Sequence, residues 1–431
     1  MHSLAEMAEQ FLRKRRPGRA LTMLARVRVP ILVPDRFAMR QPELDLESTS
    51  PLVCESVREA APGVLDGDVV IKDQIDVAGT RTGVGLLDGG HFAERDATIV
   101  ARIAAGGGRI IGKAKMTELG IDGIGTLMHY PMPKNPRAPA YAPGGSSTGT
   151  AVAVAAGLAR YGVGGDGLGS IRIPAAFCGL VGLKPTRTRL PREGIHSPVR
   201  SIDAVGPITR TVEDCARLWQ VMAGEPIEAI TPHRPPVVGV PIGGTLRVSS
   251  TIWRAFRRVL EALGTRVERV ALPHFENVTF LGGMTGAYEL ATGPYVDRVA
   301  TASGRMSRAL GSSFSAADVE RLAQHRGELA AATERVLATT PILAMPTTAI
   351  PPPALSRALL AGNQELLLLR ALGAFTPLAN LVDLPSIAVP CGVDDRGRPL
   401  SVMFVAAKNR ETDLLRIALA VEQTGLGRML A

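Results

Sequence analysis

The sequence predicts an α/β protein, and three observations predict it. From residue 66 onward, apolar stretches of strand length alternate with segments of helical spacing. Turn-forming residues punctuate them, with 46 Gly and 32 Pro in 431 residues. Hydrophobic residues make up 46% and charged residues 21%, enough apolar material for a full core and unlike a disordered, collagen-like or coiled-coil chain. The length suits two or three average domains or one large enzyme domain.

In chain order, residues 1–60 read as one helix followed by an irregular, Pro-containing arm packing on the core, and 61–431 as a single domain. Residues 68–71 form an apolar strand. Residues 97–105 have helical spacing and end in Gly106-Gly107-Gly108, and Ile110-Ile111 begins the next strand. A Pro-rich loop leads to Gly144-Gly145-Ser146-Ser147 and then to a small-residue run ending at Leu158, which suits a buried helix capped by Ser146 or Ser147. Residues 161–170 carry five glycines, more than a regular strand tolerates. Residues 237–242 read as a strand. Ser249 or Ser250 caps a helix with Trp253, Phe256, Val259, Leu260 and Leu263 on its apolar face, and a strand follows at 267–270. A helix over 316–338 precedes a strand at 342–344. Residues 387–389 and 400–405 pair as a hairpin around Asp394-Asp395-Arg396-Gly397, and the last helix spans about 412–423.

Basic residues outnumber acidic ones by 49 − 40 = 9, and only seven of the basic residues are Lys. The one dense basic run, Arg13-Lys14-Arg15-Arg16 with Arg19, has no interleaved aromatics and reads as a solvated helix face, which argues against a nucleic-acid partner. Cys54, Cys178, Cys215 and Cys391 show no metal or redox spacing and read as reduced thiols of a cytoplasmic protein. Arg26 and Arg28 interrupt the apolar stretch 21–33, so no signal peptide is expected, and no run is long enough for a membrane span.

Four patterns compete as the functional site. Gly107 to Ala114 has P-loop spacing, but Ala114 stands where a Ser or Thr would hold magnesium, and the stretch follows a helix. Gly145-Ser146-Ser147-Thr148-Gly149 matches a nucleophile elbow in form, yet the prolines at 136, 139 and 143 rule out the strand that such an elbow requires. The seven histidines are scattered, in no triad or metal pattern. The fourth pattern joins Lys72 at the end of an apolar strand, Ser146 at a helix start and Ser170 in a Gly-rich loop. A hydroxyl is a weak nucleophile until a base takes its proton. A desolvated lysine can be that base, and a second hydroxyl can relay the proton. The glycines around Ser170 let backbone N–H groups point at a developing oxyanion. The competing reading makes Lys72 an ion-pair partner of Asp73 or Asp76, and Ser170 a helix N-cap.

These residues resemble the amidase signature family. Gly144-Gly145-Ser146-Ser147, then Gly169-Ser170-Ile171-Arg172-Ile173-Pro174 and Gly182-Leu183-Lys184-Pro185-Thr186, stand in the family's order and spacing, and Lys72-Asp73-Gln74-Ile75-Asp76 is similar to its lysine motif. Agreement is dense over about 66–224 and includes Asn380-Leu381 further on. The resemblance implies a large mixed β-sheet sandwiched between α-helices. It also implies Ser170 as nucleophile, Lys72 as base and Ser146, after a cis peptide bond, as the bridging residue. The oxyanion donors would be the backbone N–H groups of Gly167, Leu168, Gly169 and Ser170, with Gly120 lining the acyl pocket. No metal or organic cofactor is implied.

The sequence departs from the family pattern at Leu168, where relatives have glycine, and at Gln74 and Thr148. If position 168 requires φ > 0, leucine there is strained. The reading is an amidohydrolase acting on a small-molecule amide through a Ser170 acyl-enzyme, for which a homodimer is compatible. The rivals are an A-type amidotransferase component that releases ammonia for a tRNA-dependent partner, and an amidase-fold scaffold with weakened chemistry.

Overall fold

A computed structural model describes residues 50–58, 62–242, 248–362, 364 and 366–427. The helix expected in the first 49 residues therefore lies outside the described residues. Eleven strands form one mixed sheet. Their order across it is β1 (Leu52–Arg58), β5 (Arg109–Ala114), β2 (Asp68–Lys72), β6 (Tyr161–Asp166), β8 (Ala204–Thr209), β7 (Val181–Lys184), β12 (Ser386–Val393), β13 (Pro399–Ala406), β11 (Ile342–Pro346), β9 (Val237–Ile242) and β10 (Arg266–Ala271). Parallel pairing joins β5, β2 and β6 on one side and β11, β9 and β10 on the other, with antiparallel neighbours between. A separate two-stranded ribbon pairs β3 (Arg81–Thr82) with β4 (His91–Phe92). The 387–389 and 400–405 hairpin is the antiparallel β12–β13 pair.

Helices cover both faces. One face carries α1 (Thr98–Ala105), α4 (Val212–Ala223), α5 (Ser250–Leu263) and α12 (Glu411–Gln423), whose Ile99, Trp219, Phe256 and Leu414 share a core with Val69, Ile71 and Phe404. The other face carries α2 (Thr148–Ala155), α3 (Arg172–Cys178), α6 (Val278–Thr292) and α8 (Ala316–Thr339). α7 (Ala302–Ser312) and the short helices α9 (Arg357–Leu360), α10 (Leu366–Leu372) and α11 (Pro377–Leu381) complete the second layer. The strand period of two sorts the side chains: Val69 and Ile71 face the first layer, whereas Val70 packs with Ala151, Val154 and Ala175 of the second. Lys72, two residues after Val70, is aimed the same way, toward α2 and α3.

Three expectations change. The arm that precedes residue 60 ends in β1, which pairs antiparallel with β5 and closes that edge of the sheet. Residues 161–166, by pattern too glycine-rich for a regular strand, are β6, buried throughout near the sheet centre. Its glycines make room for neighbours. A Cβ at Gly162 would lie 2.7 Å from Thr150 of α2, and one at Gly165 would lie 2.4 Å from the Gln74 amide. Close approach, which the glycine density signals, is compatible with a strand when the crowding comes from its faces. Trp253 is 42% exposed and lies off the buried face of α5, which keeps Phe256, Val259, Leu260 and Leu263.

Candidate active site

β2 carries Lys72 into the interior, where its side chain is 1% exposed. Its ammonium Nζ donates to Ser146 Oγ at 2.8 Å and to the Gly165 carbonyl at 3.1 Å. Neither aspartate expected as an ion-pair partner is used: Asp73 pairs with Lys113, and Asp76 with His91 and His196. Burial without a direct carboxylate contact lowers the Lys72 pKa to about 8, against the opposing pull of the Asp203 and Asp166 charges.

A lowered pKa does not by itself single out Lys72. Lys184 is also fully buried and also lowered to about 8, by desolvation and the nearby Arg172 charge, and burial lowers Lys113 as well. Lys184 Nζ donates to the Pro185 carbonyl, and Lys113 Nζ to Arg81 O and Thr82 Oγ1. Lys72 differs in holding a serine hydroxyl. Lys113 also settles the P-loop spacing, since its ammonium lies inside the protein among these partners.

The peptide bond between Gly145 and Ser146 is cis. The loop around it is built closely. The Asp122 carboxylate accepts N–H groups from Ile124, Gly125, Thr126 and Leu127, and Gly145 N–H donates to Gly123 O. A Cβ on Gly145 would fall 2.4 Å from the Asp122 carbonyl, so only glycine fits. Neither serine caps α2 in the way expected: Ser147 occupies the N-cap position but makes no capping bond, and its hydroxyl exchanges hydrogen bonds with Gly165 of β6. Ser146 is committed to Lys72.

Ser170 begins the turn into α3 and is 8% exposed. Its carbonyl accepts from Ser147 N–H at 3.2 Å, which ties the two serine loops together. Ile171, not Ser170, is the N-cap of α3, and the Ser170 hydroxyl makes no hydrogen bond among the described residues. The loop before it is shaped by Asp166, whose carboxylate accepts N–H from Gly169 at 2.7 Å and from Ile171 at 3.1 Å. The Gly169 amide is thereby occupied. Among the described residues, the Gly167, Leu168 and Ser170 amides have no protein acceptor.

Gly169 has φ +129, and a Cβ there would lie 2.5 Å from Thr376 Oγ1, so glycine is required. Leu168 is not among the positive-φ residues, so the strain considered for leucine does not arise. Its carbonyl accepts from Thr376 Oγ1, and its side chain packs toward Gly282 of α6, where an added Cβ would sit 2.6 Å from Leu168 Cδ2. Gly120 has φ +70, and a Cβ there would lie 3.1 Å from Ser146 Oγ, so this residue faces the lysine–serine pair.

Sequence reasoning missed the support beneath the loop. Arg172 is fully buried; it donates to both oxygens of Asp166, to the Thr376 carbonyl and to Asn380 Oδ1, while Asn380 Nδ2 returns to Asp166. Burial alone would raise the Asp166 pKa. The Arg172 charge and hydrogen bonds, with Asn380 and Lys184, hold it well below the usual carboxylate range. A buried Asp and Arg six residues apart on either side of the Gly-Leu-Gly-Ser turn were the signal available in the sequence. The histidines, scattered along the chain, gave no metal pattern, yet Asp76, His91 and His196 come together in the fold.

The fold is that of an α/β protein whose buried lysine meets a serine hydroxyl beside a Gly-rich turn. A family model described as "Amidase" matches residues 55–292 and 288–415, and the chain belongs to that family. It is 31% identical over 420 residues to the A-type component of a glutamyl-tRNA(Gln) amidotransferase from Syntrophus aciditrophicus, covering 86% of each chain. It is 29% identical over 399 residues to a fatty acid amide hydrolase from Oryza sativa subsp. indica, covering 84% of this chain and 65% of that protein. A solved amidase structure superposes with a TM-score of 0.73 at 29% identity, over 83% of this chain and 84% of the other. Among the described residues no helix is long and apolar enough to cross a membrane.

Proposed function

We propose that this protein cleaves the C–N bond of a small carboxylic amide through an acyl-enzyme on Ser170, with Lys72 as base and Ser146 as proton relay. The contact of Lys72 Nζ with Ser146 Oγ at 2.8 Å carries the proposal. Neutral Lys72 takes the Ser146 proton as Ser146 takes that of Ser170, and Ser170 Oγ attacks the substrate carbonyl carbon. The carbonyl oxygen becomes an oxyanion facing the open amides of Gly167, Leu168 and Ser170. Gly169 serves the turn rather than the oxyanion, because its N–H is held by Asp166. The proton then passes back through Ser146 to the leaving nitrogen, the C–N bond breaks, and ammonia or an amine departs. Water repeats the path on the ester, giving the acid and restoring Ser170. No metal or organic cofactor enters these steps.

A fluorophosphonate probe tests the nucleophile. The wild-type protein is expected to be labelled at Ser170 and the Ser170→Ala variant to lose labelling and turnover, by at least about 1,000-fold in kcat. Full hydrolysis by Ser170→Ala would sink the assignment. The similarity to the A-type components of amidotransferases favours one second reading, glutaminase activity serving a partner. Purified chain that hydrolyses simple amides without any partner supports the first reading. Glutaminase activity that appears only on adding the other amidotransferase components supports the second.

A further inference from the structure

We propose that Asp76, His91 and His196 form a binding site for one first-row divalent transition cation, with Zn²⁺ as the best fit. The three come from separate stretches: the turn after β2, strand β4, and the segment between β7 and β8. Asp76 is 15 residues from His91 and 120 from His196 in the chain. In space their ligand atoms all lie within 4.8 Å of one another, the only such group of three among the described residues. His91 Nε2 is 3.0 Å from Asp76 Oδ1 and His196 Nε2 is 2.9 Å from Asp76 Oδ2. Two imidazoles thus converge by the same nitrogen on the two oxygens of one carboxylate, with ring centroids 4.5 Å apart.

The spacing suits a metal. Ligands at tetrahedral Zn²⁺ bond lengths stand about 3.3 Å apart, and the two Asp76–histidine distances, 3.0 and 2.9 Å, lie within about 0.4 Å of that. The cation takes the place of the Nε2 protons that point at Asp76, and a neutral imidazole meets it by carrying its proton on Nδ1. Two nitrogens and one oxygen match Zn²⁺ and its first-row neighbours, whereas Ca²⁺ and Mg²⁺ take oxygen ligands. Side-chain exposures of 46% for His91 and 27% for His196 leave a solvent side for entry and for a water as fourth ligand, while Asp76 is 13% exposed.

The ligands are also held in place. Asp76 donates its N–H to Gly194 O and accepts from Ala97 N–H on its carbonyl. His196 N–H donates to Gln74 O, and Ile75 pairs with Ile195. A bound cation therefore fastens the loop that follows Lys72 to two other segments. This makes it a clamp near the lysine, independent of the acyl chemistry.

Co²⁺ is the probe, because its visible d–d bands report coordination, and the full chain is first stripped with a chelator. The expected result is one equivalent of Co²⁺ bound with intense visible absorption, displaced by Zn²⁺, and a higher melting temperature with metal. His91→Ala and His196→Ala are each expected to weaken binding at least about tenfold. His91 lies on an exposed two-residue strand, so His91→Ala alone decides the matter if His196→Ala fails to fold. His274→Ala, in the separate cluster with His325 and Glu328, is expected to change nothing. Absence of binding at millimolar Co²⁺ overturns the proposal. So does binding that His91→Ala leaves intact, or that His274→Ala abolishes.

Discussion

Lys72 and Arg172 are both fully buried basic residues that meet the end of β6 at Gly165 and Asp166, and the protein treats them in opposite ways. Arg172 spreads its guanidinium over Asp166, Asn380 and the Thr376 carbonyl, so its charge is matched and its geometry fixed. Lys72 has two neutral oxygens and no carboxylate in contact, so burial drives its pKa to about 8. Saturating a buried cation makes scaffold, whereas one left short of anionic partners can lose its proton, as the proposed role of Lys72 requires. Lys184 shows that the second condition is not sufficient. It has the same shift, but its donor meets a backbone carbonyl rather than a hydroxyl that can pass on a proton.

Substitution at the two cations should separate these roles, beginning with the largest effect. Lys72→Met removes the proposed base and is expected to lower kcat/KM by about 1,000-fold or more near neutral pH. In the wild-type protein, kcat/KM should rise with pH through a midpoint near 8, the pKa at which Lys72 becomes neutral. A profile that falls across that range would remove Lys72 as the base.

Stability should change in opposite directions. Arg172→Leu leaves the Asp166 carboxylate buried without its cation and is expected to cost about 3–5 kcal/mol, read by urea unfolding. Lys72→Met is expected to raise stability at pH 7 by on the order of 1–2 kcal/mol. The sign follows from the lowered pKa. Between about 8 and the ordinary lysine value of 10.5 the unfolded chain holds more protons at this site than the folded one. The burden of the charged lysine is therefore full below pH 8 and gone above the unfolded pKa, and the advantage of Lys72→Met should vanish by about pH 11. Equal destabilisation by both variants would erase the distinction between scaffold and base.

Smaller effects are expected at the neighbours. Gly120→Ala combines a positive φ with a Cβ 3.1 Å from Ser146 Oγ, and should lower kcat by roughly 10- to 100-fold while costing about 1 kcal/mol of stability. Leu168→Gly frees space beside Gly282 and should alter the ranking of short against long acyl amides by less than about tenfold. An unchanged ranking would place the Leu168 side chain outside the acyl pocket.

Much of the proposed site was legible because its residues sit in short motifs. Lys72, Ser146 and Ser170 each fall at the end of an element whose pattern is strong: an apolar strand, a small-residue helix and a Gly-rich turn. The strands at 68–71, 237–242 and 342–344 and the helix at 316–338 were legible from periodicity. The helices α6 and α7 were not, since glycines at 282, 283 and 286 blur the period of the first, and the second is short, polar and carries glycines at 304 and 311. β6 is obscured because its glycines answer to Thr150, Gln74 and Ile171, of which Gln74 is distant in the chain. The oxyanion role expected for Gly169 N–H depended on where the Asp166 carboxylate points, which no motif states.

Residue type and local order were enough for the α/β class and the family, and they nominate the three residues of the proposed nucleophile. The partners of each charge came only with the fold. Lys72 stands free of Asp73 and Asp76, Asp166 is answered by Arg172 and Asn380, and two histidines 105 residues apart (196 − 91) meet on Asp76. The physical reason is that a pKa or a ligand set is fixed by groups within a few ångströms and by exclusion of water, and in a mixed sheet those neighbours come from strands and loops far apart in the chain.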